Sequence, residues 1–386
     1  MVSLLLPLIY LAFISLGLPD GLLGAAWPTI YPVFGVEVSA SGIVFMIISA
    51  GTVVSSLLSD RMTSRFGPGR VTAVSTAFTA AALFGFSFCR SFPMLCLWAI
   101  PYGLGAGAVD ASLNNYVAVH YESRHMSWLH CMWGIGATVG PYIMGAILSG
   151  GGTWSGGYRV VGTVQLILVV ILFMSRPIWQ QSQAAAPEQE HKVLTLKEIL
   201  AIPGTKEIMV AFFCYCALEQ TAGLWAASYL VLHRGIGAET AAAFAGMFFL
   251  GITLGRFLNG FAAMKLSDNA LIRIGFAVIG LGILLLALPL GTAVALTGFV
   301  IIGFGCAPVY PCIIHSTPAH FGAENSQALV GVQMASAYVG ISLMPPLFGV
   351  LAEKITIALL PGYLLGLLAL MAVMHGRMLQ KTGHGS

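Results

Sequence analysis

Apolar residues run through this chain in blocks of about twenty, broken by short polar stretches. The blocks fall at 4–33, 40–60, 70–89, 93–118, 127–149 and 158–179, then at 207–232, 239–264, 270–289, 292–315, 325–350 and 355–377. Each is long enough to cross a hydrocarbon layer about 30 Å thick as an α-helix. The pattern predicts an all-α integral membrane protein of twelve transmembrane helices, six plus six. The expected domains are a six-helix bundle over 1–180, a cytoplasmic linker over 181–206, and a second six-helix bundle over 207–386. In the linker a Gln/Ala/Pro stretch leads to Thr195-Leu196-Lys197-Glu198-Ile199-Leu200. The alternation there predicts a short amphipathic helix lying at the membrane interface.

Composition excludes a water-soluble reading. The chain is 58% hydrophobic and 8% charged, whereas a soluble domain carries roughly 25% charged residues. Met1–Leu18 has the apolar character of a signal peptide but no basic leader, and apolar sequence continues beyond it, so it reads as part of the first span. Cys214 and Cys216 match no standard zinc or redox spacing, and the other five cysteines are scattered through the spans. They read as packing residues, and no metal or cofactor is expected. With both termini cytoplasmic, only Arg90, Arg159, Arg234 and Lys354 of the 17 Lys and Arg fall outside. That satisfies the positive-inside rule. A bacterial inner (plasma) membrane with cytoplasmic termini is the expected location. The basic residues sit at loop ends, which gives nucleic acid nothing to bind.

The two halves echo one another. Gly103, Gly105, Gly107, Asp110 and Asn114 lie inside one apolar block, and Gly303, Gly305, Ala307 and Tyr310 follow 200 positions later. At the same offset Gly51 and Ser55 meet Gly251 and Gly255, Val139-Gly140 meets Val339-Gly340, and Met144 meets Met344. Asp20 and Gly24 meet Glu219 and Gly223 one position short of it. Two parallel repeats with a site near the midplane are an architecture that secondary transporters use.

Three carboxylates lie deep in predicted spans: Asp20, Asp110 and Glu219. A charge at the bilayer centre costs roughly 2.5–3.5 kcal/mol or more unless it is paired, hydrated or neutralised. These acids are therefore candidates for proton coupling, and hydrogen bonding between helices is the alternative role. Glu219 is followed by Gln220, Trp225 and Tyr229, which together suit a polyhydroxylated ligand and equally an organic cation. Trp27, Asn114, Trp133 and Gln333 complete the candidate substrate-binding set. Asn115, Gln165 and Asn259 read as interhelical hydrogen-bonding groups. His130, about a turn into the fifth helix, suits a proton relay or a gate. Asp60 and Arg61 are read at the close of the second helix, with Arg65 and Arg70 opening the third. Asp60, Arg61 and, in the second half, Arg256 are gating candidates.

The run Ser56-Leu57-Leu58-Ser59-Asp60-Arg61, with Arg65-Phe66-Gly67 and Arg70 after it, resembles the loop motif of the major facilitator superfamily, with Ser56 where Gly is usual. Within it the chain is most similar to the fucose permease-like branch of sugar:proton symporters. Three stretches carry this: Gly17 to Pro28 around Asp20, Gly103 to Asn114 around Asp110, and Leu129 to Pro141 beginning Leu129-His130. The resemblance implies a twelve-helix fold and alternating access. It points to Asp20 and Asp110 as the protonation and sugar-coupling pair, although the fourth-helix acid of that branch is typically Glu. It also implies gating by Asp60 and Arg61.

The function expected is proton-coupled uptake of a sugar or similar polar organic solute by a monomer. Its partners would be the small-molecule substrate, protons and membrane lipid. The alternative is proton-driven efflux of drugs or amphiphiles. Dispersed histidines and cysteines supply no nucleophile–base set for an enzyme, and short loops leave no sensing domain for a receptor.

Overall fold

The computed structural model describes residues 4–37, 40–179 and 194–383. Every regular element among them is a helix. In chain order these are α1 (Leu5–Gly17), α2 (Leu22–Phe34), α3 (Ser41–Phe66), α4 (Pro68–Ser87), α5 (Phe92–His120), α6 (Ser123–Ser149) and α7 (Trp154–Met174). There follow α8 (Leu196–Ala201), α9 (Thr205–Leu232), α10 (Ala238–Ala262), α11 (Asp268–Ala287), α12 (Thr292–His315), α13 (Thr317–Phe321), α14 (Ala323–Lys354), a short 3-10 helix (Ile357–Leu359) and α15 (Leu360–Lys381).

Ten of the described helices are long and apolar enough to span a membrane, with α1 and α2 forming one such span, and Met247–Ala262 of α10 is a shorter apolar helix. The remaining helix of the twelve is α4. Its buried face carries Thr72, Ser75, Thr76 and Thr79, which lower its hydropathy without removing it from the core. Their hydroxyls mostly bond back to their own helix, as Thr76 does to the Thr72 carbonyl at 2.8 Å. The protein is thus an all-α integral membrane protein with six spans before the linker and six after it.

The first span is interrupted where Pro19 removes a backbone donor. Asp20 N–H and Leu22 N–H instead close short turns onto the Gly17 and Pro19 carbonyls, each at 3.1 Å. By contrast α3 continues past the point where the sequence suggests it ends. Asp60 and Arg61 lie inside it, not at its close, because no breaker occurs before Gly67, which turns at φ 79°, and Pro68. Arg65 accordingly belongs to the last turn of α3 and not to the next helix. Residues 181–193 of the linker lie outside the described residues. Its last part forms α8, and Thr195 and Glu198 close a reciprocal capping box at its start.

The chain divides into two compact units: Met1–Tyr116 with Leu129–Val193, and Val117–Trp128 with Leu194–Ser386. Their internal packing repeats. A Cβ on Gly103 would strike the carbonyl oxygen of Ile48, and one on Gly303 would strike that of Phe248. Both members of the contact are displaced by 200 residues, so the same backbone-on-backbone approach joins α3 to α5 and α10 to α12. Small residues are what permit it. Buried amides tie further helices together. Gln165 accepts from Thr79 at 2.9 Å and donates to the Ser15 carbonyl at 2.7 Å, joining α7 to α4 and α1. All seven cysteines are free, and six of them are buried.

Candidate functional site

In the first unit two acids are held from one helix. Asp20 sits exposed at the α1–α2 break, beside open space at Gly24. Its Oδ2 accepts from Trp133 Nε1 at 2.8 Å, and its Oδ1 faces the Tyr102 hydroxyl at 3.5 Å. Both are neutral donors, and no cation bonds to Asp20 among the described residues. Helix α6 comes this close because α1 and α6 share bare backbone: a Cβ on Gly17 would meet the Trp133 carbonyl, and one on Gly136 would meet that of Ile14.

One turn back along α6, His130 reaches the second acid through an amide. Asn114 Nδ2 donates to Asp110 Oδ1 at 2.8 Å, and Asn114 Oδ1 lies 2.9 Å from His130 Nε2. An amide oxygen only accepts, so His130 carries its hydrogen on Nε2. All three residues are buried, and the His130 ring meets Phe13 edge-on. The chain Asp110–Asn114–His130 therefore spends both ends of one amide on two titratable groups. Asp20 and Asp110 are near enough for the charge of one to act on the other.

In the second unit the acid has a cation. Glu219 Oε2 accepts from the Tyr215 hydroxyl one turn earlier on α9 and lies 3.5 Å from Arg256 Nη2 on α10. Arg256 is 3% exposed, with its guanidinium 5.9 Å from the Tyr310 ring centroid. Tyr310 occupies the position 200 after Asp110. Where the first unit has a carboxylate, the second has an aromatic face turned to a cation. Arg256 is thus a buried partner of Glu219 in the C-terminal part of its helix.

The other residues singled out in the sequence scatter. Trp27 is packed in the apolar core against Phe92. Trp225 Nε1 donates to the Pro345 carbonyl at 3.0 Å, and the Tyr229 hydroxyl to the Leu286 carbonyl at 3.3 Å. Gln333 is buried and exchanges bonds with Thr317. Gln220 is half-buried beside Glu219, Asp60 is buried in α3, and Arg61 next to it is exposed. Sequence reading gave Tyr102 no place in the site and missed Tyr215. Tyr215 was within reach of it, standing four residues before Glu219 on the same helical face.

The family profile of the Major Facilitator Superfamily matches residues 9–345. The chain belongs to the Major Facilitator Superfamily. It is 24% identical over 369 residues to an uncharacterized transporter of Sinorhizobium fredii, covering 88% of this chain and 90% of that one. It is also 24% identical over 372 residues to the cis,cis-muconate transport protein of Acinetobacter baylyi, covering 90% and 88%. Among solved structures it resembles the E. coli fucose:proton symporter, with TM-score 0.75, 15% identity and 97% and 98% of the two chains covered. It is likewise similar to a proton:xylose symporter, with TM-score 0.78, 12% identity and coverage of 96% and 94%. The twelve-helix major facilitator fold expected from the motifs is thus the fold of this transporter.

Proposed function

We propose that this transporter couples proton entry to uptake of a sugar or a similar small polar solute, with Asp20 carrying the proton. The observation behind this is the setting of Asp20: at a helix break, open on one side, and bonded among the described residues only by Trp133 and Tyr102. A carboxylate held by neutral donors gains or loses a proton without breaking an ion pair. A ligand shifts a two-state carrier only through unequal affinity for its states, and an acid protonated in one state and ionised in the other supplies that inequality. Asp110, buttressed by Asn114 and His130, is the second coupling group, and Trp133 links the proton site to the solute. The structural likeness to two sugar:proton symporters supports the same reading. The working orientation has both termini in the cytoplasm of a bacterial inner membrane.

The test is solute-driven proton movement into liposomes that hold the purified protein and a lumenal pH dye. L-Fucose, D-xylose and related sugars would be screened beside Asp20→Asn. A sugar that acidifies the lumen down its own gradient, with no acidification in the variant, is the expected result. Uptake of labelled sugar without proton movement would overturn the coupling.

A second reading is favoured by Arg256, a buried cation with an aromatic face beside it: the substrate is an organic acid whose carboxylate takes the place of Glu219. A relative named for muconate transport supports this. Running cis,cis-muconate in the same assay, with Arg256→Gln as the control, separates the two.

A further inference from the structure

The stretch Val117–Trp128 joins α5 to α6, yet it groups with the second unit and not with the helices on either side of it. Besides the edge-on packing of Trp128 on Phe261, these hydrogen bonds hold it there. The Ser123 hydroxyl donates to Asp268 Oδ1, and Asn259 Nδ2 donates to Ser127 Oγ at 2.7 Å. Trp128 Nε1 donates to the Phe257 carbonyl at 3.3 Å. The last contact is His315, whose Nδ1 lies 2.6 Å from Asp268 Oδ2 and whose Nε2 lies 2.9 Å from the Tyr121 carbonyl oxygen.

His315 thus has a carboxylate on one ring nitrogen and a carbonyl on the other. Neither partner has a hydrogen of its own when Asp268 is ionised, so both nitrogens must donate, and the His315–Asp268 pair holds one shared proton beyond the hydrogen on Nε2. Remove that proton and one contact sets lone pair against lone pair. The remaining groups here are otherwise engaged. Glu122 and Arg124 pair with each other at 3.0 Å. His125 faces the Tyr121 and Trp128 rings, and His320 meets Asn269. Cys312, one turn earlier on α12, lies against Asp268 and Ser123 and supplies no second cation.

We propose that the His315–Asp268 pair is a proton-operated latch: with the shared proton it fastens the α5–α6 turn to α11 and α12, and without it the turn is released. Releasing this turn is a step of the transport cycle distinct from proton binding at Asp20. The inference rests on superfamily membership and not on the identity of the solute.

Hydrogen exchange of the full-length protein in lipid nanodiscs, at pH 5.5 and pH 8.5, tests it. After correction for intrinsic rates, amides over 121–130 are expected to exchange about tenfold faster or more at the higher pH, as loss of a charge-assisted bond implies. Amides of α4 should not change. His315→Gln should exchange fast at both pH values, and Ser123→Ala should keep the pH dependence because the titrating pair is intact. Equal corrected protection at the two pH values in the unaltered protein overturns the latch. So does a matching change in α4, pH dependence that survives in His315→Gln, or pH dependence lost in Ser123→Ala.

Discussion

Asp20 and Trp133 stand 113 positions apart in the chain, yet the indole N–H and the carboxylate meet at 2.8 Å. Because His130 lies one turn earlier on the same helix, α6 governs both acids of the first unit, Asp20 directly and Asp110 through Asn114. A shift of α6 along its axis moves both together.

Trp133→Phe keeps most of the ring and deletes the N–H. Hydrogen bonds to charged groups contribute about 1.5–3 kcal/mol. The initial rate of solute-driven acidification in liposomes should therefore fall about tenfold or more, with thermal stability in detergent little changed. An unaltered rate would remove Trp133 from the coupling.

Asn114→Leu strands two buried partners, Asp110 and His130. An unsatisfied buried polar group costs about 1–3 kcal/mol, so the unfolding temperature in detergent should drop by several degrees. Asn115→Leu, on a half-buried neighbour, is the comparison and should fall less.

Arg256→Met leaves Glu219 as an uncompensated buried charge and should destabilise the protein by about 3–5 kcal/mol. The double variant Glu219→Gln with Arg256→Met should recover most of this, since neither charge is then stranded. Equilibrium denaturation of the four proteins as a double-mutant cycle measures the coupling.

Gly136→Ala places a methyl group against the Ile14 carbonyl and should cost about 1–3 kcal/mol. Gly145→Ala, on the same helix with nothing within 4 Å of the added carbon, should be neutral. Thermal unfolding of the pair in detergent reads the difference, and equal stability would mean α1 and α6 are not this close.

Helices were legible in the sequence because a membrane span is set by length and apolarity alone, which local sequence reports. Gly103 and Gly303 were legible as a repeat, and their contacts with Ile48 and Phe248 supply its physical reason. The end of α3 was misread because arginines at a predicted boundary suggest a loop, whereas only Gly67 and Pro68 interrupt the backbone ladder. The partnership of Arg256 with Glu219 was not legible at all. The two lie 37 positions apart on different helices, and no local pattern encodes which buried charge meets which. Gln333 was picked for standing opposite Trp133 in the repeat and Tyr229 for following Glu219 on one helix, but their bonds to Thr317 and the Leu286 carbonyl depend on neighbours that only the packing supplies.

The ion pair of the second unit has an electrical consequence. Glu219 and Arg256 together are neutral, so a voltage across the membrane exerts no net force on that pair. On the proposed coupling Asp20 is the group whose charge changes, and the loaded carrier is neutral there while the empty one bears a negative charge. A full unit charge crossing 100 mV is worth about 2.3 kcal/mol. An inside-negative potential should then act on the empty return step and leave the loaded step nearly untouched, making the unloaded half of the cycle the electrically driven one.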